Sequence, residues 1–436
     1  MAKSKLQIKE DFKDVFDLLE NTDKNYFITG KAGTGKTTLL KHFRENSGKN
    51  IIVLAPTGIA AVSIGGSTIH SFFRFPPNLI TKKDIKKVFG KGDIFSQIDC
   101  VVIDEVSMVR ADVMDGIDQS LRINRGKKNK PFGGVQMILF GDLYQLPPVI
   151  DDPELNRFFT EHYSGPYFFN AKVFEPAQAS LDGGTKLEKI EMTTIYRQKD
   201  VEFIGLLNKI RNGKINEEDL EMLNSRVFPD MEEIYNNASE PIVILTPINS
   251  KASHINNQKL STLPGKVFHY NSTSTGNFDE RSYPADGDLA LKVGAQVIMI
   301  QNDTEEKRWQ NGTVGIISRL KPGQIWVEIG GEEYQVDPAV WTKTEYVYNS
   351  AKQEIEMSER GTFKQFPLKL AWAITIHKSQ GKTFDKVIID IGHGAFASGQ
   401  TYVALSRCRS LKGIYLSSPI RTSDVMTDKK VIDFMQ

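Results

Sequence analysis

Eight consecutive residues constrain this chain more than any other feature: Gly30-Lys31-Ala32-Gly33-Thr34-Gly35-Lys36-Thr37. They stand between an apolar run at 25–29 and a stretch at 36–46 with helical spacing, and they fit G-x-x-x-x-G-K-[ST] at every fixed position. A strand, a glycine-rich turn and a helix in that order form a phosphate cradle. With no Cβ in the way the backbone N–H groups turn inward, and the helix N-terminus adds partial positive charge. Gly33, Thr34 and Gly35 are the expected cradle of a nucleoside triphosphate. Lys36 is expected at the β- and γ-phosphates, and Thr37 on Mg²⁺ with Thr38 beside it.

Such a loop belongs in a parallel sheet flanked by helices, and the first third of the chain supplies one. Further apolar runs at 51–55, 100–103 and 135–140 alternate with helical or loop stretches. A second series starts near 187, with its clearest strands at 242–246, 386–390 and 413–416. At 436 residues the chain exceeds one ordinary core. The pattern therefore predicts two α/β domains, 1–186 and 187–436. Between 307 and 364 short alternating segments separated by Gly, Pro, Asn and Lys predict a small β-barrel inserted in the second domain.

Acidic residues at the end of a parallel strand lie on the rim where ligands bind. Asp104 and Glu105 follow the run 100–103, so Asp104 is expected to hold Mg²⁺ and Glu105 to activate the attacking water. Gln145, in Gly141-Asp142-Leu143-Tyr144-Gln145-Leu146-Pro147-Pro148, follows the next strand, and its amide suits a γ-phosphate sensor.

Composition narrows the partners. With 55 basic and 54 acidic residues the net charge is +1, so composition gives no support for wholesale electrostatic coating of nucleic acid, while a local basic groove is not excluded. The most basic stretch is Arg122 with Arg125, Lys127, Lys128 and Lys130. It reads first as a solvated loop, with a phosphate contact left open. Two isolated cysteines, Cys100 and Cys408, rule out a cysteine-rich zinc site and a disulfide framework and fit a reducing, cytoplasmic setting. No apolar stretch reaches the roughly 20 residues of a membrane span.

Several ordered blocks then carry a resemblance: GKAGTGKTTL, APTGIAA, STIHSFF, IDEVSM, GDLYQLPPV, YRQ, TIHKSQGKTFD and YVALSRCRS, from Gly30 to Ser410. The chain resembles the Pif (petite integration frequency) family of superfamily 1 helicases, B branch, with RecD-like relatives. The resemblance implies two RecA-like P-loop NTPase domains, ATP between them, and 5′-to-3′ movement of a monomer along single-stranded DNA with unwinding of duplex or fork DNA. It makes Arg197 and Arg407 arginine fingers, and sets Gln7 at the adenine. Without the long extensions of eukaryotic relatives, the chain reads as a minimal motor core of bacterial or viral type.

Candidates for the nucleic-acid track fall in three blocks. The first is Pro56 with Thr57. The second is His70, Phe72 and Phe75, in a small insertion at about 65–78 whose residues 75–78 are expected to form a duplex-splitting wedge. The third is Thr375, His377, Lys378 and Ser379. Thr246 and Asn249 are expected to match Thr57 in the second domain. Phe72 and Phe73 are as consistent with core as with stacking. Trp341 is expected in the core, and Trp309 stays open between core and stacking. The rival within the class is a translocase that separates duplex poorly. It shares every ATP-site residue and differs in whether the segment near Phe75 projects.

Overall fold

The structure is a computed structural model. It describes residues 10–88, 92–150, 152–175, 185–198, 200–228, 230, 234, 240–349, 351–352, 354–392 and 394–436. Two compact units make it up. The first takes in the chain as far as Leu143, then Pro147–Tyr196 and Thr344–Glu359; the second takes Tyr144–Leu146, Arg197–Lys343 and Arg360–Gln436.

The first unit is built on six parallel strands: β1 Asn25–Gly30, β2 Ile51–Ala55, β3 Ser67–Thr68, β4 Cys100–Ile103, β5 Gln136–Phe140 and β6 Leu187–Met192. Their order across the sheet is β3-β2-β4-β5-β1-β6. β4 and β5 are buried at every residue, the near-continuous apolar pattern of strands covered on both faces. Tyr26, Ile28, Val53, Val102 and Ile138 from the sheet pack with Leu39 and Phe43 from the helix Lys36–Asn46. Each such fully buried side chain contributes about 1.5–3 kcal/mol. The order brings the C-terminal ends of β1, β4 and β5 side by side, so the phosphate loop, Asp104-Glu105 and Gly141-Asp142 share one rim.

β6 pairs with β1 from Asn25↔Leu187 to Gly30↔Met192, so this strand completes the first sheet and does not open a second series. Ile190 and Met192 of this strand pack against the core while Lys189 and Glu191 are exposed, as in an edge strand with one wet face.

The second unit carries a four-stranded parallel sheet in the order Ala373–Thr375, Val243–Thr246, Val387–Ile389, Ile414–Leu416. Beside it lie antiparallel sheets. Five strands run in the order Glu332–Val336, Gln324–Ile329, Val314–Lys321, Gln296–Met299, Leu368–Leu370. A hairpin, Ala339–Asn349 with Glu354–Gln365, pairs with Thr273–Gly276. These pairings draw strands from both sides of 307–364 and run as open sheets, so they do not establish a closed barrel confined to that range. Trp309 packs into the five-stranded core with Val297, Ile325 and Trp372. Trp341 packs against Phe363 and Phe278. Both tryptophans are therefore core residues. The hairpin's end, Thr344–Glu359, belongs to the first unit. There the Tyr346 hydroxyl accepts from Val53 N (3.0 Å) and donates to Val53 O (3.1 Å).

Candidate functional site: the rims of two parallel sheets

The phosphate loop has its expected context, since β1 ends at Gly30 and the helix Lys36–Asn46 begins six residues later. Two glycines are required by geometry. A Cβ on Gly30 would lie 2.6 Å from the Met192 carbonyl oxygen on β6. Gly35 caps the helix at φ 87°, and a Cβ there would lie 3.0 Å from the Phe12 ring. Lys36 Nζ donates to Gly30 O (2.6 Å) and Lys31 O (3.2 Å), holding its ammonium over the loop. The Thr34 hydroxyl is turned inward to Lys31 O (2.9 Å) and buried, so Thr34 shapes the loop through its side chain. Thr37 and Thr38 are exposed on the helix's first turn. Tyr196 N–H donates to Gly33 O (2.9 Å), tying the loop to the residue just before Arg197. Gln7 lies outside the described residues.

At the end of β4 the Asp104 carboxylate accepts from Glu105 N–H (2.9 Å). Burial first, and then the neighbouring Glu105, push it up to about 7, with Lys36 and Lys41 opposing. Glu105 has a left-handed backbone, φ 49° and ψ 43°. A non-glycine residue there carries strain of about 1–3 kcal/mol, of the kind that collects at functional sites. Asp142, at the end of β5, is buried. Thr37 and Asp104 offer hard oxygen donors, which suit Mg²⁺, and a buried carboxylate of raised pKa is one that a cation would stabilise. Among the described residues no cluster of three or more His, Cys, Asp or Glu could hold a metal by itself.

In the second unit the two candidate arginines come together. Arg197 Nη1 donates to Ser406 O (3.5 Å), and Gln198 Nε2 donates to Ser406 O (3.1 Å) and Cys408 O (3.2 Å). Arg407, between them, donates from Nε to Val403 O (2.9 Å) and from Nη2 to Ser406 Oγ (2.8 Å). Its side chain is almost wholly buried. Gln145, grouped with this unit, accepts from Gln380 Nε2 (3.4 Å).

The nucleic-acid candidates divide by environment. Phe72 and Phe75 are 1% and 7% exposed, and Phe75 stacks on Phe73 (5.2 Å between centroids). Both rings are core, because the turn after the helix Ile69–Phe73 folds them inward, and neither presents a face to a base. Within 75–78 the exposed residues are Pro77 and Asn78, so any projecting tip is made by them rather than by Phe75. His70 is half-buried, and burial followed by Arg110 lowers its pKa. Pro56 is half-buried, and Thr57 caps the helix Gly58–Ser63, its hydroxyl accepting from Ala60 N (3.3 Å).

The expected match of Thr246 to Thr57 shifts by two residues. β2 ends at Ala55 and its counterpart at Thr246; each is followed by a proline, Pro56 or Pro247, and then by a helix cap. The residue in Thr57's place is therefore Ile248, which cannot cap, while Asn249 opens the helix Asn249–Thr262. Thr246 is fully buried, and its hydroxyl has no hydrogen-bond partner among the described residues. It lines a cleft of about 610 Å³ with Ile248, Lys251, Gly392, Phe396 and Arg421. Phe396, 65% exposed, was not singled out in the sequence, where a lone phenylalanine in a Gly-Ala-Ser loop was its only signal.

Thr375 and Ser379 are buried, and their hydroxyls shape the turn: Thr375 Oγ1 accepts from Lys378 N (3.3 Å) and Ser379 Oγ donates to Ile376 O (2.7 Å). Neither is displayed for a strand. Lys378 is exposed, and His377 is half-buried with its pKa lowered by burial. Sequence reasoning also passed over Lys369 and Lys382. Lys382 packs on Gly312 and donates to Asn311 Oδ1 (2.7 Å). Gly312 N–H bonds Met299 O, next to Ile298, which lies opposite Lys369. Burial, then Lys369, lower the Lys382 ammonium to about 8.

The chain is similar in sequence and fold to known proteins. The profile of the PIF1-like helicase family matches residues 7–221. The ATP-dependent DNA helicase Pif1 of Bdellovibrio bacteriovorus is 31% identical, with all of this chain and 93% of that protein covered. The human ATP-dependent DNA helicase PIF1 is 31% identical over 90% of this chain, which spans 58% of that longer protein. Among solved structures, unliganded Pif1 from Bacteroides sp is 39% identical with a TM-score of 0.88, covering 98% of this chain and 96% of that one. Bacteroides Pif1 bound to ssDNA shows the same identity and coverage with a TM-score of 0.69.

Proposed function

The chain belongs to the PIF1-like helicase family, a family of ATP-dependent DNA helicases, and from that premise we propose that it moves 5′ to 3′ along single-stranded DNA as a monomer and opens duplex ahead of it. The observation that carries the reading is that each unit holds one of the two residue sets such a reaction needs. On the rim of the first sheet lie a phosphate loop, a buried Asp104 and a strained Glu105. In the second unit, Arg197 and Arg407 converge on Ser406.

In this reading Lys36 and the loop N–H groups bind the β- and γ-phosphates of ATP, and Glu105 takes the proton from the attacking water. Thr37 and Asp104 would hold Mg²⁺, which when bound neutralises charge on the phosphate oxygens. Arg197 and Arg407 spread positive charge over the transferring phosphoryl group. Because they sit in the other unit, hydrolysis requires the units to close, and closure becomes the step along DNA. The direction of travel rests on family membership. Thr57, Thr246 and Lys378, with the N-terminus of the helix Asn249–Thr262, are the proposed grips on backbone phosphates. Phe396 is the proposed stacking platform.

The decisive comparison is unwinding of a duplex with a 5′ single-stranded tail against one with a 3′ tail, in the presence of ATP and Mg²⁺. Unwinding of the 5′-tailed substrate, lost in Glu105→Gln, supports the reading. Preference for the 3′ tail overturns the direction. Strand-stimulated hydrolysis with neither duplex opened moves the protein to the translocase reading.

A further inference from the structure

Two runs of lysine far apart in the sequence meet along one helix of the first unit. The segment after Asn78 follows the helix Ala111–Arg125: Ile80 N–H donates to Asp112 Oδ2 in the first turn (2.9 Å), and Val88 N–H donates to Asn124 Oδ1 in the last (2.8 Å). At ~1.5 Å per residue, the axis between those anchors is about 18 Å long. Lys82, Lys83, Lys86 and Lys87 are all exposed along it. The one acidic residue among 81–88, Asp84, is engaged by the Thr81 N–H (2.8 Å) and hydroxyl (2.6 Å). The loop leaving the helix at Gly126 adds exposed Lys127, Lys128 and Lys130 with no acid among them.

The arginines of this stretch brace the scaffold. Arg122 Nη1 donates to Lys128 O (2.9 Å), while Arg125 donates from Nε to Gly133 O (3.0 Å) and from Nη1 to Ile98 O (2.8 Å). What the braced loop displays is lysine. In a chain of net charge +1 that is a local concentration of positive charge.

The chemistry of the face selects its partner. A single-strand track combines cations with aromatic rings on which bases stack. Beneath this helix the rings are withdrawn: Phe72, Phe73, Phe75 and Phe95 are all buried, and Phe75 fills the space against Gly116. Cations without stacking platforms suit a backbone whose bases are already enclosed. Duplex DNA presents a negative charge every ~1.7 Å of axis, so a line of lysines about 18 Å long meets several phosphates.

We propose that this lysine face binds the phosphate backbone of duplex DNA and holds the double-stranded arm of a tailed substrate. The proposal rests on the DNA-helicase reading and adds a second, sequence-independent contact to it.

The test replaces Lys86, Lys87, Lys127, Lys128 and Lys130 together by Gln. Fluorescence anisotropy then compares a 5′-tailed duplex with a bare single strand of the tail's length, across a salt series. The wild type is expected to bind the tailed duplex more tightly than the strand, and the variant to lose that gain. The salt slope on the tailed duplex should fall by about 2–4, since each phosphate contact accounts for roughly 0.9. Single-strand affinity and strand-stimulated ATPase should stay at wild-type levels, and those two readouts also report folding. Equal weakening on both DNAs, or no change on either, overturns the proposal. So does a wild type that hydrolyses ATP on single strands yet gains nothing from the duplex arm, and that result leaves the helicase reading standing. Absent strand-stimulated hydrolysis in the wild type would instead overturn the helicase reading.

Discussion

Each unit holds a desolvated charge, of opposite sign: a buried carboxyl at the end of β4 in the first, and in the second a half-buried lysine close to Lys369 of the antiparallel strand Leu368–Leu370. In the first unit, burial and the adjacent Glu105 push the Asp104 carboxyl up to about 7. In the second, burial and the nearby Lys369 bring the Lys382 ammonium down to about 8, and Lys369 is itself lowered by burial and then, against Asp286, by Lys378. Neither arrangement helps folding, because a buried charge beside a like charge costs more than an apolar replacement would. Each makes sense as a place where an opposite charge arrives: a cation at the acidic rim, a phosphate at the lysine cluster. The proposed ligands therefore differ in sign at these two positions, a contrast that substitutions can break.

The largest effect that can break this division lies at the arginines. Arg197→Ala should slow ATP turnover by about 10³-fold or more while ATP affinity changes little, the signature of charge stabilised in the transition state. Equal losses in turnover and affinity, read from steady-state kinetics and nucleotide titration, would reduce Arg197 to a ground-state ligand. Next comes Lys36→Ala. Its side chain bonds two carbonyls of its own loop, so the fold should survive while hydrolysis falls on the order of 10²–10³-fold, the scale of losing one preorganised donor. Single-strand affinity should hold. If it vanished as well, nucleotide and strand sites would not be separable.

The two threonines sharpen the comparison. Thr57 uses its hydroxyl as a helix cap, whereas Thr246 keeps a buried hydroxyl with no partner among the described residues. Thr57→Val should therefore cost about 1 kcal/mol of stability, the usual price of a lost cap. Thr246→Val should leave the melting temperature unchanged or raised, since it removes an unsatisfied buried group, and should weaken single-strand binding about tenfold, as loss of a hydrogen bond to a charged group does. Thermal melts and anisotropy on both variants decide it. If Thr246→Val destabilises and leaves binding intact, the hydroxyl belongs to the fold.

These contrasts also mark how far the sequence could be read. The phosphate loop and the acidic pair were legible because the chemistry fixes their residue types, their spacing and their position at strand ends. What was not legible is what depends on partners distant in sequence. Leu187–Met192 reads as a strand, yet nothing in its six residues says that it joins β1 in the first sheet. Phe72 and Phe75 sit in a block of hydroxyls and cations, and only the packing of Phe72 on Phe95 and Tyr346 reveals that the rings face inward. Thr246 and Asn249 match Thr57 by their place after an apolar run, while the observed strand ends pair Thr246 with Ala55. Thr375 and Ser379 lie in the most distinctive block of the chain, and it is the fold of that turn that spends their hydroxyls.

The smallest expected effect tests the lysine cluster directly. Lys382 has a folded-state pKa of about 8 against an ordinary 10.5, so the folded protein holds this proton less tightly than the unfolded chain. Below about pH 8 both states are charged and the full penalty applies. Between 8 and 10.5 the folded state is already neutral while the unfolded chain still binds the proton, so stability rises with pH through that window. Lys382→Met removes the penalty. It should melt a few degrees higher than wild type at neutral pH, where about 1 kcal/mol corresponds to ~2–4 °C for a domain of this size. The gap should close as pH passes from 8 toward 10.5. Phosphate of a bound strand would favour the charged lysine, so the same substitution should weaken single-strand binding several-fold. A variant that melts lower at neutral pH and binds DNA normally would make Lys382 a structural partner of Asn311 and remove the charge contrast between the two units.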